Sequence, residues 1–299
     1  MPLNLPVVDA SQDVEKGALY VVATPIGNFE DITLRALNVL SRVDMVAAED
    51  TRLTGRMLSH YQISSPLISC HDHNEAERAL QFIQKLLKGV SIALVSDAGT
   101  PSVSDPGYRL ICAAIQAGVK VIPVPGVSAA ISALSVSGLP TDAFVFLGFP
   151  PKRQTRRTAM LKDIENEHRT LIFYESPKRV LSFLNDVLTV LGDRYGVVCR
   201  EMTKRYEEFI RGSISKMLSD LSGRREIKGE CTLVLSGQNK YKPLSAESLE
   251  SSVSEYLMHS SESPGELARE IALKFGISRK TVYQMILSEK AKGGQQAGN

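Results

Sequence analysis

The stretch Ser96–Gly107, SDAGTPSVSDPG, decides how this chain folds. Ahead of it runs SIALV (91–95), an apolar, β-like segment; behind it YRLICAAIQAG (108–118) reads as a helix. Connections between such elements usually take about 2–6 residues. These 12 residues hold two Gly, two Pro and two carboxylates, Asp97 and Asp105. A long, small-residue loop at the end of an apolar strand is where open α/β sheets bind ligands. Asp105 and Pro106 also suit a helix start, Asp105 as N-cap and Pro106 in the first turn.

Outward from this loop, residues 18–125 alternate strand and helix. ALYVVAT, VDMVAAED, SIALV and VKVIPV read as strands, and TLRALNVLSR, RLTGRMLSHY and EAERALQFIQKLLKG as helices. Short apolar runs separated by amphipathic helices predict a parallel sheet with crossover helices. A second α/β pattern fills about 138–237. Its strands are AFVFLGF, TLIFYES, YGVVCRE and CTLVLSG, with KRYEEFIRG as a further candidate, and RQTRRTAMLKDIENE and PKRVLSFLNDVLTVLG are its helices. The expected organisation is a flexible stretch over 1–16, α/β domains over 17–136 and 137–238, and a linker with a helical extension over 239–290. A disordered tail, 291–299, completes it. In the extension, ELAREIALKFGISRKTVYQMIL has helix-turn-helix spacing, with Ser278 as a candidate N-cap. It could dock RNA or serve only as a packing unit.

Composition bounds the rest. The chain has 299 residues, 43% hydrophobic and 23% charged, with a net charge of +2. The charge is uneven: residues 150–240 hold 18 Lys+Arg against 12 Asp+Glu, the remainder 17 against 21. A basic second half suits a polyanionic partner. No apolar run approaches the roughly 18 residues of a membrane span, and no secretory signal pattern opens the chain, so a cytoplasmic location is expected. Cys70, Cys112, Cys199 and Cys231 are scattered and form no CxxC pair, so reduced thiols are expected. His71-Asp72-His73 lacks nearby third and fourth ligands, so no metal is expected; Asp72 or Asn74 could instead cap the helix that follows.

Two more Gly/Pro loops follow predicted strands: ATPIGN (23–28) and VPGVSAA (124–130). Three such loops at one sheet edge would line a pocket with main-chain groups. Neither GxxxxGK[ST] nor GxGxxG occurs, and no Lys or Arg lies inside the three loops, which disfavours a phosphate-rich ligand. Asp97 and Asp105 would instead meet a cationic or hydroxyl-bearing ligand. S-adenosylmethionine fits that chemistry, with a sulfonium, an ammonium, a ribose and no phosphate, though not uniquely.

TPIGN, EDTR (49–52), SDAGTPSVSDPG, PGVSA (125–129) and YESPKR (174–179) occur in an order and spacing that resemble the tetrapyrrole-methylase superfamily. Within it, they are similar to the bacterial 16S rRNA cytidine-2′-O-methyltransferase branch. The resemblance covers about 17–238 and takes in the helical extension. The tetrapyrrole branch typically carries a GxGPGD-like first loop; TPIGN departs from it and points to the RNA branch. The resemblance implies two α/β domains with S-adenosylmethionine in the cleft between them. It further implies a homodimer and, as substrate, 16S rRNA in the decoding region of the small ribosomal subunit. Asp97 with Ala98, Gly99, Thr100 and Pro101 should line the methionine end. Pro25 and Gly27 should border the cleft, Ser128 and Ala129 close it, and Tyr174 lie near the adenine.

Methyl transfer from a sulfonium is an in-line displacement in which the protein chiefly aligns the reactants. A ribose 2′-hydroxyl is weakly acidic and gains from a base. Candidate catalytic residues are Glu49, Arg52, His71 and Glu175, with Asp50, Asp72 and Glu201 also in reach of the argument; Arg52 could instead contact a phosphate. Lys152, Arg153, Arg156 and Arg157, followed by Lys178 and Arg179, form a basic set that could contact RNA or be a solvated face. Two other functional classes stay open: a methylase of a tetrapyrrole or protein side chain, and a non-enzymatic nucleic-acid-binding protein acting through the helical extension. Specific duplex-DNA binding in a gel-shift panel would mark the last.

Overall fold

The computed structural model describes residues 13–238, 253, 256–257, 263–275 and 279–296. Residues up to Gln238 form one compact unit and the C-terminal segment from Asn239 another. Expectations for residues 1–12, for most of the linker and for Ser278 lie outside the described residues.

The first sheet comprises β1 (Leu19–Val22), β2 (Met45–Ala48), β3 (Leu67–Ser69), β4 (Ile92–Val95) and β5 (Val121–Val124), in the order β3-β2-β4-β1-β5. Every pairing is parallel. Four crossover helices connect the strands: α1 (Leu34–Arg42), α2 (Thr51–His60), α3 (Glu75–Leu87) and α4 (Tyr108–Gln116). β4, Ile-Ala-Leu-Val, is buried at all four positions, as a strand covered on both faces must be. Strand alternation sends Tyr20, Val22, Val46, Ala93 and Val95 into one layer with α1 and α2. Leu19, Ala47, Ile92 and Leu94 enter the opposite layer with α3 and α4.

α5 (Ala129–Ser137) leads from the first sheet to the second. The second comprises β6 (Phe144–Phe146), β7 (Thr170–Glu175), β8 (Tyr195–Arg200), β9 (Glu208–Ser213) and β10 (Cys231–Leu235), in the order β6-β7-β10-β8-β9. Only β6 and β7 pair parallel; the other pairings are antiparallel. α6 (Gln154–Asp163), α7 (Val180–Leu191) and α8 (Ile214–Ser222) pack on one face, around Leu161, Phe173, Phe183, Met217 and Leu233. α5 lies against β7, β8 and β10. The two α/β patterns and the helical extension expected from sequence are therefore present, and KRYEEFIRG does supply β9.

In the C-terminal unit, α9 (Pro264–Phe275) and α10 (Arg279–Gln296) share a small core of Val253, Leu267, Ala268, Ile271, Val282 and Ile286. No helix among the described residues is long and apolar enough to cross a membrane.

Four local expectations are corrected. Asp105 does not cap α4: its N-cap is Gly107, without a side-chain bond. Buried Glu75 caps α4 from across the fold, its Oε1 accepting the amides of Gly107 (3.1 Å), Arg109 (2.8 Å) and Leu110 (3.2 Å). Neither Asp72 nor Asn74 caps α3 with its side chain; Asn74 Oδ1 accepts from the His71 amide at 2.9 Å. Residues 13–16 are held, with Val14 packed on the first core and Glu15 paired with Lys120 at 2.6 Å. Finally, α10 runs on to Gln296, because Ala, Lys and Gln are good helix formers and outweigh two glycines.

Candidate active site

The three Gly/Pro loops leave the carboxyl ends of β1, β4 and β5, which are neighbours in the sheet or one strand apart. They are stitched together. Thr24 N–H donates to Gly99 O (2.8 Å) and Gly99 N–H to Thr24 O (3.0 Å), joining the first two loops. The Thr100 hydroxyl donates to Val127 O at 3.2 Å, joining the second and third. Gly99 has φ +75°, a conformation that favours glycine. At Gly27 a Cβ would stand 2.9 Å from Thr203 Oγ1 and from Lys204 Cε, so the glycine lets the first loop meet the turn between β8 and β9.

Two adjoining cavities result. One, of about 300 Å³, is lined from the loops by Ile26, Ala98, Gly99, Thr100, Val103, Asp105, Ser128 and Ala129. Phe149, Tyr174, Glu175, Ser176, Pro177, Met202 and Glu230–Thr232 line it from the second half of the fold. The other, about 330 Å³, is bordered by Pro25, Gly27, Ser96, Asp97, Thr54 and Arg56, among others. They share Ile26, Ala98 and Glu230. Volumes of this order suit a small ligand. Among the described residues, no Lys or Arg lines the first cavity.

Nine of the ten residues expected to hold a ligand line one cavity or the other; Pro101 is buried but lines neither. Tyr174 is fixed by the Ala130 amide, which donates to its hydroxyl at 3.2 Å. Phe146 and Phe149 add edge contacts at 4.9 and 5.5 Å. Burial raises the Tyr174 pKa, and the nearby Asp105 charge adds to this.

Acidic groups form the wall beside the loops. Asp97 Oδ1 accepts the Asp50 amide at 2.9 Å, and the Asp97 amide donates to Glu49 Oε2 at 3.3 Å. Burial holds both the Glu49 and Asp97 carboxyls above their usual range, with neighbouring carboxylates adding to the effect. Asp105 is pushed up to about 7, by burial first and then by the charge of Glu49.

The catalytic candidates separate. Asp50 caps α2 and takes a two-pronged grip from the exposed Arg52, which holds Asp50 well below the usual carboxylate range. His71 lines neither cavity, and its buried Nδ1 has no hydrogen-bond partner among the described residues. Glu201 is tied to Lys204 at 2.9 Å and to the Glu230 amide at 3.0 Å. Glu175 does reach the cavity: it is 2% exposed, Oε1 takes the Ser176 amide (2.7 Å) and Arg179 (2.5 Å), and Oε2 has no hydrogen-bond partner among the described residues.

The basic set divides as well. Lys152, Arg153, Arg156 and Lys178 are exposed. Arg157 is 5% exposed and pairs with buried Asp186 at 2.5 Å, so it faces the core and not an external polyanion. Arg179 is half-buried on Glu175 and serves the cavity wall. Their places on α6 and beside α7 decide this, and charge alone gave no signal of it. Sequence reasoning also missed Phe149, Met202 and Glu230–Thr232, which reach the cavity from strand ends that carry no motif.

A parallel α/β sheet joined to a mixed sheet is a fold shared with methyltransferases already solved. The uroporphyrin-III C-methyltransferase of Thermus thermophilus complexed with S-adenosylhomocysteine superposes with a TM-score of 0.53 at 18% identity, covering 74% of this chain and 98% of that one. A cobalt precorrin-4 methyltransferase gives 0.55 at 17% identity, covering 76% and 97%.

The chain belongs to the tetrapyrrole (corrin/porphyrin) methylase family, whose family model matches residues 18–218. Its sequence relatives include "Ribosomal RNA small subunit methyltransferase I" of Halalkalibacterium halodurans, 43% identical over 92% of this chain and 96% of that one. The protein of the same name from Escherichia coli O157:H7 is also 43% identical, over 94% and 98%.

Proposed function

We propose that this protein transfers a methyl group from S-adenosylmethionine to the ribose 2′-hydroxyl of a cytidine in the decoding region of small-subunit ribosomal RNA. Nearly full-length similarity at 43% identity to small-subunit rRNA methyltransferases carries this reading. The cleft supports it: a cationic nucleoside without phosphate suits a cavity lined by main chain, apolar groups and carboxylates and, among the described residues, by no Lys or Arg. When bound, S-adenosylmethionine supplies a methyl group already activated on a sulfonium. Asp97 and the main chain of Ala98–Thr100 would hold its amino-acid end. Ser128, Ala129 and Tyr174 would hold the nucleoside end.

The RNA would approach over the exposed cations Lys152, Arg153, Arg156 and Lys178. Tyr206 adds a stacking surface: it is 67% exposed, with the Arg205 guanidinium 5.7 Å above its ring, on the loop whose first residues reach the cleft. An exposed aromatic–arginine pair suits a splayed-out base. A homodimer is part of the proposal, consistent with the exposed Tyr108 and Ile115 seven residues apart on one face of α4. The test is transfer of labelled methyl to small ribosomal subunits from cells lacking this protein, followed by nucleoside mass spectrometry. The proposal expects 2′-O-methylcytidine only with enzyme; absence of label on RNA refutes it.

A further inference from the structure

The 96–107 loop has a second feature besides its turn at Gly99. Its second half winds through unusual backbone: Ser102 and Ser104 both adopt left-handed φ, +67° and +66°. The Ser102 amide turns back to donate to Pro106 O at 3.2 Å. From the second half of the fold, Gly148 comes so close that a Cβ there would stand 2.8 Å from Ser104 Oγ. Left-handed non-glycine residues are costly and cluster where a fold must aim a functional group. Here the aimed group is Asp105. Glu75 has taken over the capping of α4, so Asp105 is spared that task and lines the cavity beside Thr100, Ser128 and Tyr174.

Among the described residues three carboxyl side chains line the cavity, and two are paired with cations. Glu175 holds Arg179 at 2.5 Å and Glu230 holds Lys204 at 3.0 Å. Asp105 has no cation paired with it among the described residues. The groups that act on it electrostatically are Glu49 just after β2, Asp97 just after β4, Asp72 ahead of α3, Tyr174 from β7 and the Ser96 hydroxyl. All but Ser96 are acids, and Ser96 alone draws its pKa down.

We propose that Asp105 accepts the proton of the acceptor ribose 2′-hydroxyl during methyl transfer. This rests on the function proposed above. In the step, the O2′–H bond breaks and its proton passes to an Asp105 carboxylate oxygen. The freed O2′ electron pair forms the bond to the methyl carbon. The methyl–sulfur bond breaks with its electron pair left on sulfur, cancelling the sulfonium charge. The products are a 2′-O-methyl ribose, a neutral thioether and protonated Asp105, which returns its proton to water. A carboxyl that titrates near 7 is matched to proton removal at neutral pH.

The test compares native protein, Asp105→Asn and Asp105→Glu in single-turnover methylation of small subunits from cells lacking the protein, from about pH 5.5 to 8.5. Calorimetry with S-adenosylhomocysteine reads the donor site. The native rate should rise about tenfold per pH unit and level off near 7. Asp105→Asn should lose about 10²–10⁴-fold in rate and the inflection with it, while keeping S-adenosylhomocysteine affinity within about threefold. Asp105→Glu, which keeps the carboxyl, should retain a slower but still inflected profile. An unchanged Asn rate, or an inflection that persists in Asn, overturns the assignment. So does a loss of affinity that accounts for the lost rate, which would make Asp105 a donor-holding group. If Asn does not fold, a flat Glu profile overturns it alone. Native protein that labels no RNA overturns the proposed function itself, and this assignment falls with it.

Discussion

Replacing Glu75 tests whether the 96–107 loop is held from outside its own sequence. Glu75 is 4% exposed, and one of its carboxylate oxygens accepts three amides at 2.8–3.2 Å. Two of those amides belong to buried residues, Gly107 and Leu110. A hydrogen bond to a charged acceptor contributes about 1.5–3 kcal/mol net, and a buried donor left unpaired costs about 1–3 kcal/mol. A negative charge at a helix start adds up to about 2 kcal/mol where partly buried. These contributions overlap, so Glu75→Ala should lose about 3–5 kcal/mol. Glu75→Gln keeps a carbonyl acceptor but no charge, and should lose about 1–2 kcal/mol. Urea unfolding followed by circular dichroism measures both. Since the same bonds fix the far end of the 96–107 loop, S-adenosylhomocysteine affinity should fall in the same order, Ala more than Gln. Glu75→Ala within about 1 kcal/mol of native, with donor affinity intact, would refute the cap.

Three further outcomes follow from the geometry. Arg157→Met strands the buried Asp186 carboxylate and should cost about 3–5 kcal/mol in urea unfolding; Arg157→Met with Asp186→Leu should recover most of it, and equal losses in single and double variants would refute the pairing argument. Arg153→Glu with Arg156→Glu should raise KM for small subunits and lower the salt slope of binding by about two, leaving donor affinity alone; an unchanged KM removes α6 from the RNA surface. Glu208 is held down to about 2, first by its hydrogen bond from Arg224 and also by Arg200. A depressed carboxyl pKa stabilises above its unfolded value of 4.5 and loses that contribution as pH falls toward 2. The gap in thermal midpoint between native protein and Glu208→Gln should therefore be constant above about pH 5 and close on acidification. A gap that widens in acid refutes it.

The sheet was legible because its strands are short, apolar and separated by helical periodicity, and every one of the three loops announced itself with Gly and Pro. β3 was not: Leu67–Ser69 is a three-residue edge strand, half-buried throughout, too short to show a period. α5 was hidden because Ala129–Ser137, with buried Ala130, Ala133, Leu134 and Ser137, begins inside a loop motif and has almost no polar face. Arg157 shows the limit of counting charge. Four basic residues within six positions look alike in sequence, and only the helical turn decides that one of them meets Asp186, 29 residues away, instead of solvent.

The error at Asp105 is the more instructive. An Asp-Pro-Gly ahead of an apolar helix is a sound local signal for a cap, and local reasoning has no way to see a competitor 32 residues upstream of Gly107. Glu75 wins because it is already fixed at the start of α3, beside α4 in the same layer, and one buried oxygen reaches three amides at once. Its success has a consequence in the cleft. With the helix capped from behind, the loop is free to turn Asp105 toward the cavity through two left-handed serines. Carboxylates from three surrounding segments act on it, and among the described residues no cation pairs with it, where Glu175 and Glu230 each have one. The residue that breaks the local rule is thus one whose environment is strongly altered. If Glu75→Gln shifts the pH inflection of methylation as well as the stability, the cap and the chemistry are two ends of one loop; if it moves stability alone, Asp105 is aimed by the serines and Gly148 without help from behind.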